Sequence, residues 1–230
     1  MHQRRAEVKA PKDSDISTVM GMNYLQQVVL SSSVNTRNFI ENLCHELVHE
    51  SSYKSYLIDD TQSEIKYFNY REGFLSYNPA ENYDEPFWRA FNEAMTELVS
   101  SEVVERFVKN NFKTLQQFIP VGMIKKFGSK IVYADSVAIV LDICRKIAEQ
   151  ENKSEGEIFL EFQKSMLTGN DNTFSLIKET FGEKGLEMIK VMQNNPESTL
   201  QVAHNLGLQY AEQAIKRQAP LIPINLKEEN

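Results

Sequence analysis

From residue 36 to residue 50 apolar side chains recur at Ile40, Leu43 and Leu47, with Cys44 and Val48 beside them. That spacing predicts a helix, capped by Asn35 or Thr36. The same period returns at Phe87, Phe91, Met95, Leu98, Val103 and Phe107. It predicts a second helix over 86–110, opened by Asp84-Glu85-Pro86. Residues 24–30 (YLQQVVL) predict a short strand. Residues 64–78 (EIKYFNYREGFLSYN) predict a strand, or a hairpin turning at Glu72-Gly73. From 112 onward the pattern is helical. It runs through 134–150, then a helix opened by the Ser154/Glu157 capping box, then 173–181, 183–194 and 198–217, punctuated by Gly182 and Pro196.

This order predicts an α+β fold that is predominantly helical. A small N-terminal β-sheet and two helices come first, and a helical portion follows. The expected division is a flexible arm over 1–20, a first lobe over 21–118, a helical lobe over 119–218 and a tail over 219–230.

Composition narrows the partners. The chain has 230 residues, of which 41% are hydrophobic and 25% charged, so it is long enough for a real core. Its net charge of −7 argues against nucleic-acid binding, which needs a dense basic face. Neither an apolar signal core after the basic N-terminus nor a run of about 18 apolar residues is present, so a cytoplasmic location with no membrane partner is the expectation. A leader upstream of this sequence is compatible with it. Cys44 and Cys144 are in no metal-type or redox spacing and are expected to be reduced, buried thiols.

The chemistry concentrates in NLCHELVHES, residues 42–51. Two of the four histidines, His45 and His49, flank Glu46 there. Histidines at i and i+4 share one helix face, about 6 Å apart at Cβ, which suits a common tetrahedral Zn²⁺. The intervening Glu46 is placed for a general base. An H-E-x-x-H match is expected by chance on the order of 0.01 times in a chain of this composition. His45 lies about 200° around the helix from Leu43 and from Leu47, so the histidines are expected to face away from the core stripe. A third ligand is required. Ser52 and Ser55 stand where an extended HExxHxxGxxH pattern needs Gly and His, and His2 and His204 are poor candidates. Residues 92–97, NEAMTE, offer Glu93 and Glu97 on one face of the second helix, with Ala90 and Ala94 keeping the surface around them small. Glu93 can ligate while Glu97, one turn on, accepts an N–H from a liganding imidazole.

Together HELVH and NEAMTE resemble the gluzincin metallopeptidases, of which thermolysin is the familiar member. Their pattern is HExxH on one helix and NExxxD on a later antiparallel one. A bacterial group of peptidase candidates with HExxH, RxG and NExxTE is more similar still, and Arg71-Glu72-Gly73 matches its middle segment. The resemblance covers about 60 residues, and the stretch between His49 and Glu93 is longer than thermolysin's. It implies a zincin-like lobe with one Zn²⁺ held by His45, His49 and Glu93 and with Glu46 as catalytic glutamate. Asn92 matches the Asn of the pair, and Glu97 stands where the family has Asp. It also implies a polypeptide substrate added along the strand segment 64–70. Such enzymes supply a donor to the tetrahedral oxyanion. Tyr133, opening the 134–150 helix, is the expected residue, with Tyr77, Tyr83 and Arg71 as alternatives. Trp88 is expected in the core. The competing readings are a metal-binding module without turnover and a helical interaction protein.

Overall fold

The computed structural model describes residues 21–24, 27–30, 36–59, 66–76, 86–117 and 131–217. The expected arm over 1–20, the tail over 219–230, and Tyr77 and Tyr83 lie outside the described residues. Strands β1 (Gly21–Tyr24) and β2 (Gln27–Leu30) form an antiparallel pair with Tyr24 opposite Gln27. Helix α1 spans Thr36–Ser51. Strands β3 (Lys54–Asp59), β4 (Lys66–Glu72) and β5 (Leu75–Ser76) form a second antiparallel sheet in that spatial order. Six helices follow: α2 (Arg89–Leu115), α3 (Ala134–Glu151), α4 (Glu155–Thr168), α5 (Asn172–Lys190), α6 (Pro196–Asn205) and α7 (Gln209–Arg217). The fold is thus predominantly helical α+β, as the sequence predicts. Among the described residues no helix is long and apolar enough to cross a membrane.

Helix α3 is the axis. Val137, Ile139, Val140, Ile143, Cys144 and Ile147 are fully buried on it, with apolar positions nearly all round, as a central helix requires. It packs against α2, α4, α5, α6 and α7. One continuous core runs from Val48 on α1 through Phe74, Phe91 and Met95 to Ile215 on α7. Trp88 belongs to this core, its ring 4.6 Å from that of Phe174. Asp142 of α3 is a buried carboxylate. It accepts from the backbone N–H of Tyr210 (2.9 Å) and Ala211 (3.0 Å), the otherwise unpaired donors in the first turn of α7, and from Arg145. Asp142→Ala therefore strands two helix-end donors, one of them buried, and the guanidinium. We expect a loss of about 3 kcal/mol, read as a fall in Tm of about 6–12 °C.

Local signals explain most boundaries. Ser154 and Glu157 form the capping box at α4, and Asn195 caps α6 with Pro196 at its first position. Gly182 breaks α5 into two runs at φ 72°, ψ 175°, a conformation far from helical that favours glycine. Three readings need correction. Strand 24–30 is two strands. Helix α2 opens at Arg89 rather than at Pro86, because Phe87 pairs with Ser76 in a β-bridge and Trp88 then takes a left-handed φ of 65° while donating its N–H to the Lys190 carbonyl (2.7 Å). The segment 198–217 is two helices, interrupted around Gly207. Strand β3 has no counterpart among the predicted elements.

Candidate metal centre

Helices α1 and α2 pack directly against each other, and their contact is the site. The buried face of α1 is not the Ile40/Leu43/Leu47 stripe. Leu47 is 46% exposed, whereas Glu46, Val48 and His49 are buried. The histidines lie on the side of α1 away from Leu47, as expected, but it is their face and not the Leu47 side that is buried against α2. The partner face on α2 makes this possible. Ala90 and Ala94 are fully buried and bring the helix close, while Glu93 and Glu97 supply acceptors for the imidazoles.

Three ligand atoms converge. His45 Nε2 lies 3.2 Å from His49 Nε2 and 3.3 Å from Glu93 Oε2, and His49 Nε2 lies 3.5 Å from the same oxygen. A tetrahedral zinc at about 2.05 Å from each atom requires ligand atoms about 3.3 Å apart. The triangle fits that ion without rearrangement. It also fits the protonation chemistry. His45 presents Nδ1 to Glu97 Oε2 at 3.2 Å, and His49 presents Nδ1 to Thr96 Oγ1 at 3.4 Å. Both rings are thus held from behind, with Nε2 directed at the common point. Glu97 is itself fixed, accepting the Val132 N–H at 3.0 Å through its other oxygen.

The two carboxylates also hold a proton on His45 that an arriving ion would have to displace. Burial disfavours a charged His45, but hydrogen bonds and charge from Glu93 and Glu97 outweigh it and raise the imidazole to about 9. Burial also pushes Glu93 upward, yet hydrogen bonds to both histidines hold its carboxyl well below the usual range. Glu46 is buried, and among the described residues it has no hydrogen bond or ion pair; burial raises its pKa above the ordinary value. A carboxylate so placed is available to take a proton.

Tyr133 sits at the start of α3, its ring centroid 6.0 Å from that of His45, and it lines the same cleft as Glu93. Burial and then the Glu93 charge raise its pKa, so the phenol stays a donor at neutral pH. Arg71 does not join the site. Its guanidinium donates to the carbonyls of Gly73 and Gly169 and to Asp171, tying the sheet to the α4–α5 turn. Asn92 also points elsewhere: its Oδ1 accepts the Phe74 N–H at 2.8 Å. A Cβ on Gly73 would lie 2.6 Å from that oxygen, and Gly73 has a φ of 58°, so only glycine lets the β4–β5 turn approach α2 here. The strand segment expected to take substrate belongs to the middle strand β4, which β5 covers only at Arg71 and Glu72. His204 is exposed and remote, and both cysteines are free, Cys44 being only half-buried.

No protein-family model matches the chain, and comparison with curated proteins and with solved structures finds no match.

The sequence reading missed Thr96 and the Val132 amide. Thr96 was visible as the Thr of NExxTE, but its partner is 47 residues away and only packing reveals it. Thr96→Val and Glu97→Ala are each expected to weaken zinc affinity about 10- to 100-fold, the larger loss falling on the charged Glu97. Competition against a zinc-chelating dye measures both.

Proposed function

We propose that the chain is a zinc-dependent peptidase that hydrolyses peptide bonds with Glu46 as general base. The observation that carries this reading is the His45, His49 and Glu93 triangle at tetrahedral edge lengths, with buried Glu46 beside it on the same helix face. A pure metal scaffold has no use for a buried carboxylate in that position.

Zinc, when bound, supplies a Lewis acid that acidifies water toward a pKa of about 7 and polarises a carbonyl. The residues of the chain do the rest. His45, His49 and Glu93 hold the ion, while Glu97 and Thr96 keep the imidazoles aimed. Glu46 takes the proton from the attacking water and returns it to the leaving amine, so the proton balance closes on one carboxylate. The Tyr133 phenol donates to the oxyanion that develops on the former carbonyl oxygen.

The test is metal content by mass spectrometry on protein purified without added metal, followed by hydrolysis of an unstructured peptide mixture. We expect about one zinc per chain, weakened in Glu93→Gln, and cleavage that a chelator stops. A chain that holds no zinc even after zinc is supplied would sink the reading. Zinc retained in full by Glu93→Gln would show that the third ligand lies elsewhere.

A further inference from the structure

A cleft of about 530 Å³ opens beside the triangle. Glu93 and Tyr133 line it together with Arg89, Phe87, Lys190 and Asn194. Its polar character is asymmetric. Glu93 is the sole acidic residue among its lining residues, and both histidines counter its charge. Two cations face the same space, but they are not equivalent. Lys190 is engaged: its ammonium reaches both Glu187 oxygens at 3.1 and 3.3 Å and lies 4.5 Å over the Phe87 ring. Arg89 is exposed and makes no ion pair or hydrogen bond among the described residues. It is the first residue of α2, four before Glu93, so both side chains leave the helix on one face about 6 Å apart at Cβ. The wall beside it is the first turn of α2, where Trp88 supplies no side-chain cap.

We propose that Arg89 is the receptor for a carboxylate of the substrate, and that the site acts on short peptides carrying one within a residue or two of the cleaved bond. This rests on the peptidase reading of the same site. The chemistry follows from geometry. A free, planar guanidinium binds a carboxylate through two parallel N–H donors. Successive Cα atoms along a peptide are about 3.8 Å apart. A carboxylate one or two residues beyond a carbonyl at the triangle therefore falls within the reach of an arginine rooted one helical turn away. The carboxylate is either the C-terminal group of the peptide or an Asp or Glu side chain. The first makes the enzyme an exopeptidase, and the second gives it an acidic subsite.

Calorimetric titration of the zinc-loaded, full-length protein distinguishes these. The probes are trialanine with a free C-terminus, its C-terminal amide, and an amidated peptide in which Glu replaces the last alanine. Wild type is expected to bind one or both carboxylate-bearing probes roughly 10- to 100-fold more tightly than the plain amide. Arg89→Ala should erase that preference and Arg89→Lys should keep part of it, with zinc content and Tm unchanged in both. The probe that shows the preference identifies the source of the carboxylate. Equal binding of all three probes by wild type overturns the proposal. So does a preference that survives in Arg89→Ala, since the carboxylate would then be held by the metal or another group. The readout is binding, so a chain that shows this pattern yet cleaves no peptide would keep the receptor and lose the peptidase reading.

Discussion

Glu46→Gln is expected to keep about one zinc per chain and to lose about 10²- to 10⁴-fold in kcat, the usual contribution of a positioned general base. The amide is nearly isosteric, so the packing of α1 on α2 survives, and the candidate ligands His45, His49 and Glu93 are untouched. Glu46 is buried without a hydrogen-bond partner among the described residues, so no structural contact is removed with its charge. The paired measurement matters: zinc by mass spectrometry and turnover on the best peptide found. Turnover within a few-fold of wild type, with zinc retained, would remove Glu46 from the mechanism and leave the metal without a base. A loss of zinc alongside turnover would instead mean that Glu46 supports the ligand geometry.

His49→Ala should abolish zinc binding and, with it, the stabilisation that zinc confers. An ion that binds only the native state adds about 4 kcal/mol at a free concentration 1,000 times its Kd. For a chain of this size that corresponds to about 8–16 °C in Tm. Wild type is therefore expected to melt that much lower after chelation and to recover when zinc is restored. His49→Ala should melt at one temperature under both conditions. His49 is the more informative of the two imidazoles to remove, because its partner is the neutral Thr96 hydroxyl, whereas removing His45 would also leave the carboxylate of Glu97 without its imidazole. An unchanged zinc-dependent shift in His49→Ala would show that the ion sits away from the triangle.

Zinc affinity, turnover and carboxylate binding test separate parts of one helix pair. In the proposed function Thr96 and Glu97 would orient the ligands, Glu46 would move protons and Arg89 would bind the substrate. The α1–α2 contact carries all four, while the sheet is tied to the helices at two fixed points, Asn92 on Phe74 and Arg71 on Gly169 and Asp171. The Arg71 tie explains why a residue that looks available for catalysis in the sequence is committed to holding the α4–α5 turn against the sheet.

The sequence by itself determined which of these side chains share a helix face. Spacing of four places His45 with His49, and Glu93 with Glu97, on single helix faces regardless of what packs around them. It also determined the capping box at Ser154, the break at Gly182 and the helical character of the second half, because these depend on neighbours within a few residues. Tertiary structure alone decided which face of α1 is buried. Periodicity ranks Leu47 above His49 as a core residue, yet Leu47 is exposed and His49 is enclosed, because a carboxylate and a hydroxyl on α2 satisfy the imidazole there. Tertiary structure likewise decided where α2 begins, since the bridge from Phe87 to Ser76 and the bond from Trp88 to Lys190 are long-range contacts that override the proline signal. The same holds for Thr96, for the Val132 amide behind Glu97 and for the open guanidinium of Arg89. The roles of these groups lie in what stands opposite them, and partners distant along the chain leave no trace in local pattern.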